Sequence, residues 1–208
     1  MLRTSWLLVS VTVLGFASLL LAAHHEHQKH SEQESRHDEH ASHSHDHAQA
    51  HAEMMAGILH AVAVMVPTEG NTAHGVVRFT QGEHGVTVVA DIEGLEPGST
   101  HAIHVHEFGD LTAADGTSAG GHYNPEGHEH GLPGQHARHA GDLGNLTADD
   151  NGHAHYTITV ENLTVAGTHN PIIGRGVIIH AKPDDGGQPT GNAGPRIAMG
   201  VIGIANNP

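Results

Sequence analysis

From residue 57 onward the chain alternates. Apolar and polar residues take turns in "LHAVAVMV" (59–66), "GVVRFT" (75–80), "GVTVVADI" (85–92), "HAIHVHE" (101–107), "HAHYTITV" (153–160), "GVIIHA" (176–181) and "IAMGVIGI" (197–204). Gly, Pro, Asn and Asp punctuate these runs in "PTEGN", "QGEHG", "EGLEPGS" and "ADDNG". A period of two puts successive side chains on opposite faces of a strand. Short strands separated by turn signals, with no helical period, predict an antiparallel β-sandwich or barrel. Two segments break the rhythm: a Gly- and His-rich loop over 108–141 and a Gly/Pro-rich loop over 182–196. A structureless loop of that length in a compact domain is usually functional. No internal repeat is present.

Composition narrows what the fold can do. The chain has 208 residues with 27 Gly, no Cys and six aromatics, so Val, Ile, Leu and Ala must fill its core. Net charge is −15 with His neutral, and no basic stripe is present. That argues against binding nucleic acid or an anionic lipid surface. The 25 histidines are the anomaly.

The amino-terminal segment reads as an export signal over residues 1–23. Arg3 supplies the positive charge, Trp6 to Leu21 is almost unbroken apolar sequence, and Ala22-Ala23 offers small residues for cleavage. The run is slightly long, so an uncleaved membrane anchor is the alternative. No cysteine is available to carry a lipid or form a disulfide. The expected location is outside the cytoplasm, periplasmic or extracellular.

Residues 24–55 change character. His24, His25, His27, His30, His37, His40, His43, His45, His47 and His51 stand among charged and small polar residues without apolar periodicity. Such a segment cannot bury a core and reads as a disordered extension. Closely spaced neutral imidazoles chelate Cu²⁺ and Zn²⁺, so the extension is expected to hold extra ions; the bland reading is a solvated spacer. Residues 56–208 form the folded domain.

Within that domain the histidines sort. His104 and His106 are two apart on an expected strand, so both rings stand on one face while Val105 faces the other. His101 falls opposite His104, where a buried hydrogen-bonding role suits it. The long loop adds His122, His128, His130, His136, His139 and Asp142 without an apolar run to order it. Tetrahedral zinc accepts three His and one Asp, and closing the loop on an ion contributes folding energy. His180 ends the apolar run "GVII" as either a satisfied core histidine or a ligand.

Taken in order, "HAIHVHEFGD", "TSAGGHYNP", "HAGDLGN", "IIGRGVIIHAK" and "GNAGPRIAMGVIGIA" resemble copper,zinc superoxide dismutase over about residues 57 to 206. The resemblance implies an all-β, eight-stranded antiparallel Greek-key barrel with two long functional loops. It implies one copper and one zinc per subunit, and superoxide as substrate. His104, His106 and His180 match copper ligands, His122 the bridging histidine, and His130, His139 and Asp142 the remaining zinc ligands. Asp184 matches the aspartate that hydrogen-bonds one ligand of each metal. Arg196 matches the arginine that attracts the anion, and His101 a non-ligand histidine near the site. His128 and His136 are extra.

The chain also departs from that pattern. Gly116 and Met199 stand where family members usually carry a disulfide, a bond worth about 2–4 kcal/mol. The second loop is short and lacks the Glu and Lys that shape the field elsewhere. The segments that pair subunits in eukaryotic members are retained, so a homodimer is expected. The rivals are a non-enzymatic metal carrier, which leaves Arg196 unexplained, and a copper-only relative, which leaves the zinc set unexplained.

Overall fold

The computed structural model describes residues 48–55 and 57–206. The expected signal, and His24 to His47 of the extension, lie outside the described residues. The last eight residues expected to be disordered, 48–55, are helical. Their sequence, "AQAHAEMM", is made mostly of strong helix formers. Among the described residues no helix is long and apolar enough to cross a membrane.

Nine strands follow: β1 (His60–Pro67), β2 (His74–Gly82), β3 (Gly85–Glu93), β4 (Thr100–His106), β5 (Asp142–Thr147), β6 (Ala154–Val160), β7 (Gly176–His180), β8 (Arg196–Val201) and the two-residue β9 (Gly203–Ile204). The hydrogen-bonded order is β5-β4-β7-β8-β1-β2-β3-β6, with β9 beside β1. Every pairing is antiparallel. The two ends of this path meet where Tyr156 on β6 donates its hydroxyl to the Leu143 carbonyl on β5 at 2.7 Å. The result is a nearly closed eight-strand barrel with Greek-key crossovers between β3 and β4 and between β6 and β7.

The alternation places the core. Val86, Val88, Ala90 and Ile92 on β3 point inward, as do Val77 and Phe79 on β2 and Ala61, Ala63 and Met65 on β1. Each fully buried Val, Ile or Phe contributes about 1.5–3 kcal/mol relative to exposure. β4 and β7 differ from this pattern, because they are buried on both faces. On β4, Ile103 and Val105 face the core, while the opposite face carries His104 and His106 beneath the long loop. That second covered face is what turns a surface strand into a site.

β5 is a strand the alternation does not announce. "DLGNLT" carries Asp, Gly and Asn, which ordinarily mark turns. Leu143 and Leu146 both fill the core despite being three apart, because Gly144 at φ 89° breaks the pleat between them. The β4–β5 register shifts between Ala102 and His104 accordingly.

The long loop is tied to its strand by main-chain bonds. Glu107 N–H donates to Gly121 O and Phe108 N–H to Ala119 O, both at 3.0 Å. Tyr123 and Val105 link to each other and to Gly141 by three bonds of 2.9 Å. A side chain at Gly141 would run into the Val105 carbonyl, so only glycine permits this approach. Where family members carry a disulfide, Met199 instead packs with Ala119, Ile178 and Leu111.

Candidate metal centre

The loop and three strand ends converge on two groups of donor atoms. One comprises His104, His106, His122 and His180; the other comprises His122, His130, His139 and Asp142. Within each group the candidate ligand atoms all lie within 4.8 Å of one another, and every member is buried. His104 and His106 come from β4 and His180 from the end of β7, its neighbour. His122 reaches β4 through an isolated bridge to His106. His130 and His139 come from the loop, and Asp142 opens β5.

Four of the rings are oriented by a partner outside both groups. His104 Nε2 donates to Asp184 Oδ2 at 2.8 Å. His106 Nδ1 donates to the Gly120 carbonyl at 3.0 Å, and His180 Nδ1 to the Gly194 carbonyl at 3.1 Å. His130 Nε2 donates to Asp184 Oδ1 at 2.8 Å. These bonds fix the tautomers and leave His104 Nδ1, His106 Nε2, His180 Nε2 and His130 Nδ1 facing inward with lone pairs. His106 Nε2 and His180 Nε2 stand 3.4 Å apart, too close to a bare neighbour for two acceptors unless something lies between them.

His122 belongs to both groups. Its Nδ1 is 2.8 Å from Asp142 Oδ1 and 3.3 Å from His139 Nδ1. Its Nε2 points into the other group and has no hydrogen-bond partner. His104 Nδ1 and His130 Nδ1 are likewise buried without a hydrogen bond. His130 Nδ1 does lie 3.0 Å from Asp142 Oδ2, but not in a hydrogen-bonding orientation. A buried polar nitrogen left unpaired costs about 1–3 kcal/mol. Three such atoms, all aimed at two common points, are the signature of sites built for cations.

The electrostatics agree. Burial lowers the pKa of His104 to about 4 and of His180 to about 3, and lowers His106 and His139 as well. All four rings are therefore neutral at pH 7, the form that can ligate a metal. For Asp142, burial alone would raise the pKa, but hydrogen bonds from His122 and the Gly131 N–H outweigh it. Asp184 is likewise held low by His104 and His130 against its own burial.

A model of the copper/zinc superoxide dismutase family (SODC) matches residues 73–202. The chain belongs to the copper/zinc superoxide dismutase family. It is thus an oxidoreductase acting on superoxide, and its cofactors are copper and zinc. The barrel expected from the alternation is the fold observed.

The remaining candidates of this dismutase take definite places. Asp184 receives one ring from each group. His101 stays outside both: its Nδ1 donates to the His180 carbonyl at 2.8 Å and its Nε2 is 2.6 Å from Ser99 Oγ. Arg196, matched to the arginine that attracts the anion, is anchored. Its Nη1 donates to the Gly116 carbonyl and its Nη2 to the Gly120 carbonyl at 2.6 Å. It lines a cleft of about 350 Å³ together with Glu69 and Asp115, two carboxylates that residue spacing alone does not bring there. His51 is exposed on the helical segment.

Several supporting residues escape a sequence reading. Asn145 pins Asp184 from both sides: its Nδ2 donates to Asp184 O at 2.9 Å, and Asp184 N–H donates to its Oδ1 at 2.7 Å. Gln188 clamps His130 similarly, with bonds of 2.8 and 3.1 Å to its carbonyl and N–H. Gly191, at φ 73°, passes so close to Asp184 Oδ1 that any side chain would collide with it. Asn145 lies within the "HAGDLGN" motif, which was a signal; Gln188 offered none.

Proposed function

We propose that the chain is an exported, homodimeric dismutase with copper held by His104, His106, His122 and His180, and zinc by His122, His130, His139 and Asp142. The observation that carries this reading is His122, whose two ring nitrogens face two separate donor groups. Three His and one Asp suit tetrahedral zinc. Imidazole-rich sites suit copper. The reaction consumes two superoxide anions and two protons and yields O₂ and H₂O₂.

Copper, when bound, supplies one-electron chemistry between its two oxidation states, and zinc supplies a fixed positive charge. The chain does the rest. Asp184, Gly120 and Gly194 hold the ring tautomers of His104, His130, His106 and His180, so these four rings stay in place during turnover. His122 Nε2, which has no hydrogen-bond partner, takes up a proton and passes it to the reduced oxygen. Arg196 holds the incoming anion by charge and paired N–H donors. Burial of His104, His106, His122, His130, His139, Asp142 and His180 keeps bulk water off the donor atoms.

The histidines of residues 24–51 serve metal capture in this proposal, since neutral imidazoles at close spacing bind Cu²⁺ and Zn²⁺. Dimerisation is supported by exposed apolar side chains: Val64, Val66, Phe108, Val201 and Ile204. Val64 is 64% exposed and Ile204 61%, unusual for aliphatic residues on neighbouring strands. A second copy would cover them.

The site assignment is tested with His122→Ala. At matched copper occupancy its dismutation rate should fall strongly, and zinc removal should no longer alter the copper spectrum. Full activity with both ions bound would sink the bridging role.

A further inference from the structure

The carbonyl of Arg196 is held from a part of the chain that belongs to neither donor group. Thr68, which directly follows β1, is buried, and its Oγ1 donates to the Arg196 carbonyl at 2.7 Å. Its N–H donates to the Ile197 carbonyl at 3.2 Å. The hydroxyl is used twice, because it also accepts from Asn71 Nδ2 at 2.9 Å. With both roles filled, the hydroxyl has one orientation. The same turn holds the long loop, since Glu69 N–H donates to the Ala114 carbonyl at 2.9 Å. Thr68 Cγ2 lies 3.5 Å from the point where a side chain at Gly116 would begin, next to Arg196 Cδ at 3.3 Å. The connection between β1 and β2 thus touches the residue that carries the guanidinium. It also touches the loop whose Gly116 and Gly120 carbonyls receive that guanidinium.

We propose that Thr68, braced by Asn71, is a positioning residue for Arg196 in dismutation. The proposal rests on the reading of Arg196 as the residue that holds the incoming anion. The β7–β8 register slips at this point, with Ile179 opposite Ala198 but His180 opposite Arg196. An irregularity of that kind bends a strand and re-aims its side chains. The direction of Arg196 is then set from the β1 side, where Thr68 grips its carbonyl. The chain also has no cysteine to tie the long loop to β8. Thr68 and Glu69 tie the two through one turn by hydrogen bonds, so the guanidinium and its acceptors keep their spacing.

A buried threonine that only filled space would be replaced without loss by valine, which has the same shape. What valine lacks is the donor to the Arg196 carbonyl and the acceptor for Asn71. A positioning role therefore follows the hydroxyl, and a packing role follows the branched shape.

The test uses the full chain loaded with copper and zinc. Sodium azide is the anion probe, read by the copper absorption band, beside the second-order dismutation rate. Thr68→Val should weaken azide binding and lower the rate, each by about threefold to tenfold, the scale of one lost hydrogen bond. Copper and zinc content should not change. Thr68→Ser, which keeps the hydroxyl, should restore both readouts. Asn71→Ala tests the same brace at an exposed residue and should shift both the same way by a smaller factor. In an Arg196→Gln background, Thr68→Val should change azide affinity no further, because it acts only through the guanidinium. With copper reduced to its diamagnetic state, the Arg196 ¹⁵Nη signals, distinct while two carbonyls hold the group, should merge in Thr68→Val. A Thr68→Val chain that binds azide as the parent does would overturn the positioning role and leave that of Arg196 standing. So would an equal weakening in the Arg196→Gln background. An Arg196→Gln chain that binds azide as the parent does would overturn the anion role of Arg196, and this proposal with it.

Discussion

His104 and His130 donate to the two oxygens of a single carboxylate, Asp184, each at 2.8 Å. One ring belongs to each donor group, so the two sites share an orienting residue as well as the His122 ring. Asn145 holds that carboxylate's backbone, and Gly191 leaves it room. Gly191→Ala should therefore disturb both sites at once. Losing such an outer partner typically costs about 10–100-fold in metal affinity. Competition with a chelator should show weaker retention of both ions in Gly191→Ala and in Asp184→Ala. A variant that loses only one of the two would contradict the shared role.

Arg196 and His106 meet at the Gly120 carbonyl, which accepts from both. The guanidinium is thereby fixed beside His106 rather than waving over the donor groups. On a chain of net charge −15, local charge must guide an anion. Arg196→Glu should lower the second-order rate far more than Arg196→Lys, at equal copper content. Asp115 lines the same cleft and opposes the anion. Asp115→Asn should raise the rate by about twofold at low salt, with the gain shrinking as screening sets in over roughly 10 Å at 0.1 M. Pulse radiolysis across a salt series decides both; an Asp115→Asn rate below wild type would refute the guidance picture.

Metal-free protein should lose stability as pH falls. Burial holds His104 near 4 and His180 near 3 in the folded chain, against 6.5 when unfolded. Between those values the unfolded chain binds protons that the folded chain refuses, so stability drops by up to about 1.4 kcal/mol per pH unit per ring. Asp184 acts in the same direction at lower pH, since its depressed pKa contributes stability in full above its unfolded value of 3.8 and loses it as pH falls below. The apo melting temperature should fall steadily from pH 6.5 to about 4. Bound metals hold the rings deprotonated and should move that fall to lower pH. An apo melting temperature that rises on acidification would contradict the burial argument.

The exposed apolar side chains along β1, β8 and β9 predict self-association. The parent chain should sediment as a dimer, and Val64→Lys with Val201→Lys should yield a monomer by sedimentation velocity at unchanged metal content. A monomeric parent would remove the dimer from the account.

The barrel was legible because β1 to β3 and β6 alternate cleanly, with one face wet and one dry. β5 was not, since its Asp142, Gly144 and Asn145 look like turn residues; the strand exists because β4 pairs with it and Leu143 and Leu146 are buried. The ligand candidates were legible as histidines on one strand face and in a loop with nothing else to order it. The acceptors that set the ring tautomers were not, because Gly120 and Gly194 act through backbone carbonyls. Nor could spacing alone show Gln188 reaching across to His130, a pairing made only when two loops meet.

The central claim is that one imidazole joins a copper site to a zinc site. Diffraction from crystals of the metal-loaded protein, recorded at the copper and zinc absorption edges, tests it directly. The account predicts a copper peak among His104, His106 and His180, a zinc peak among His130, His139 and Asp142, and the His122 ring between them with Nε2 toward copper and Nδ1 toward zinc. A zinc peak in the first group, or either ion bound without His122, would contradict it.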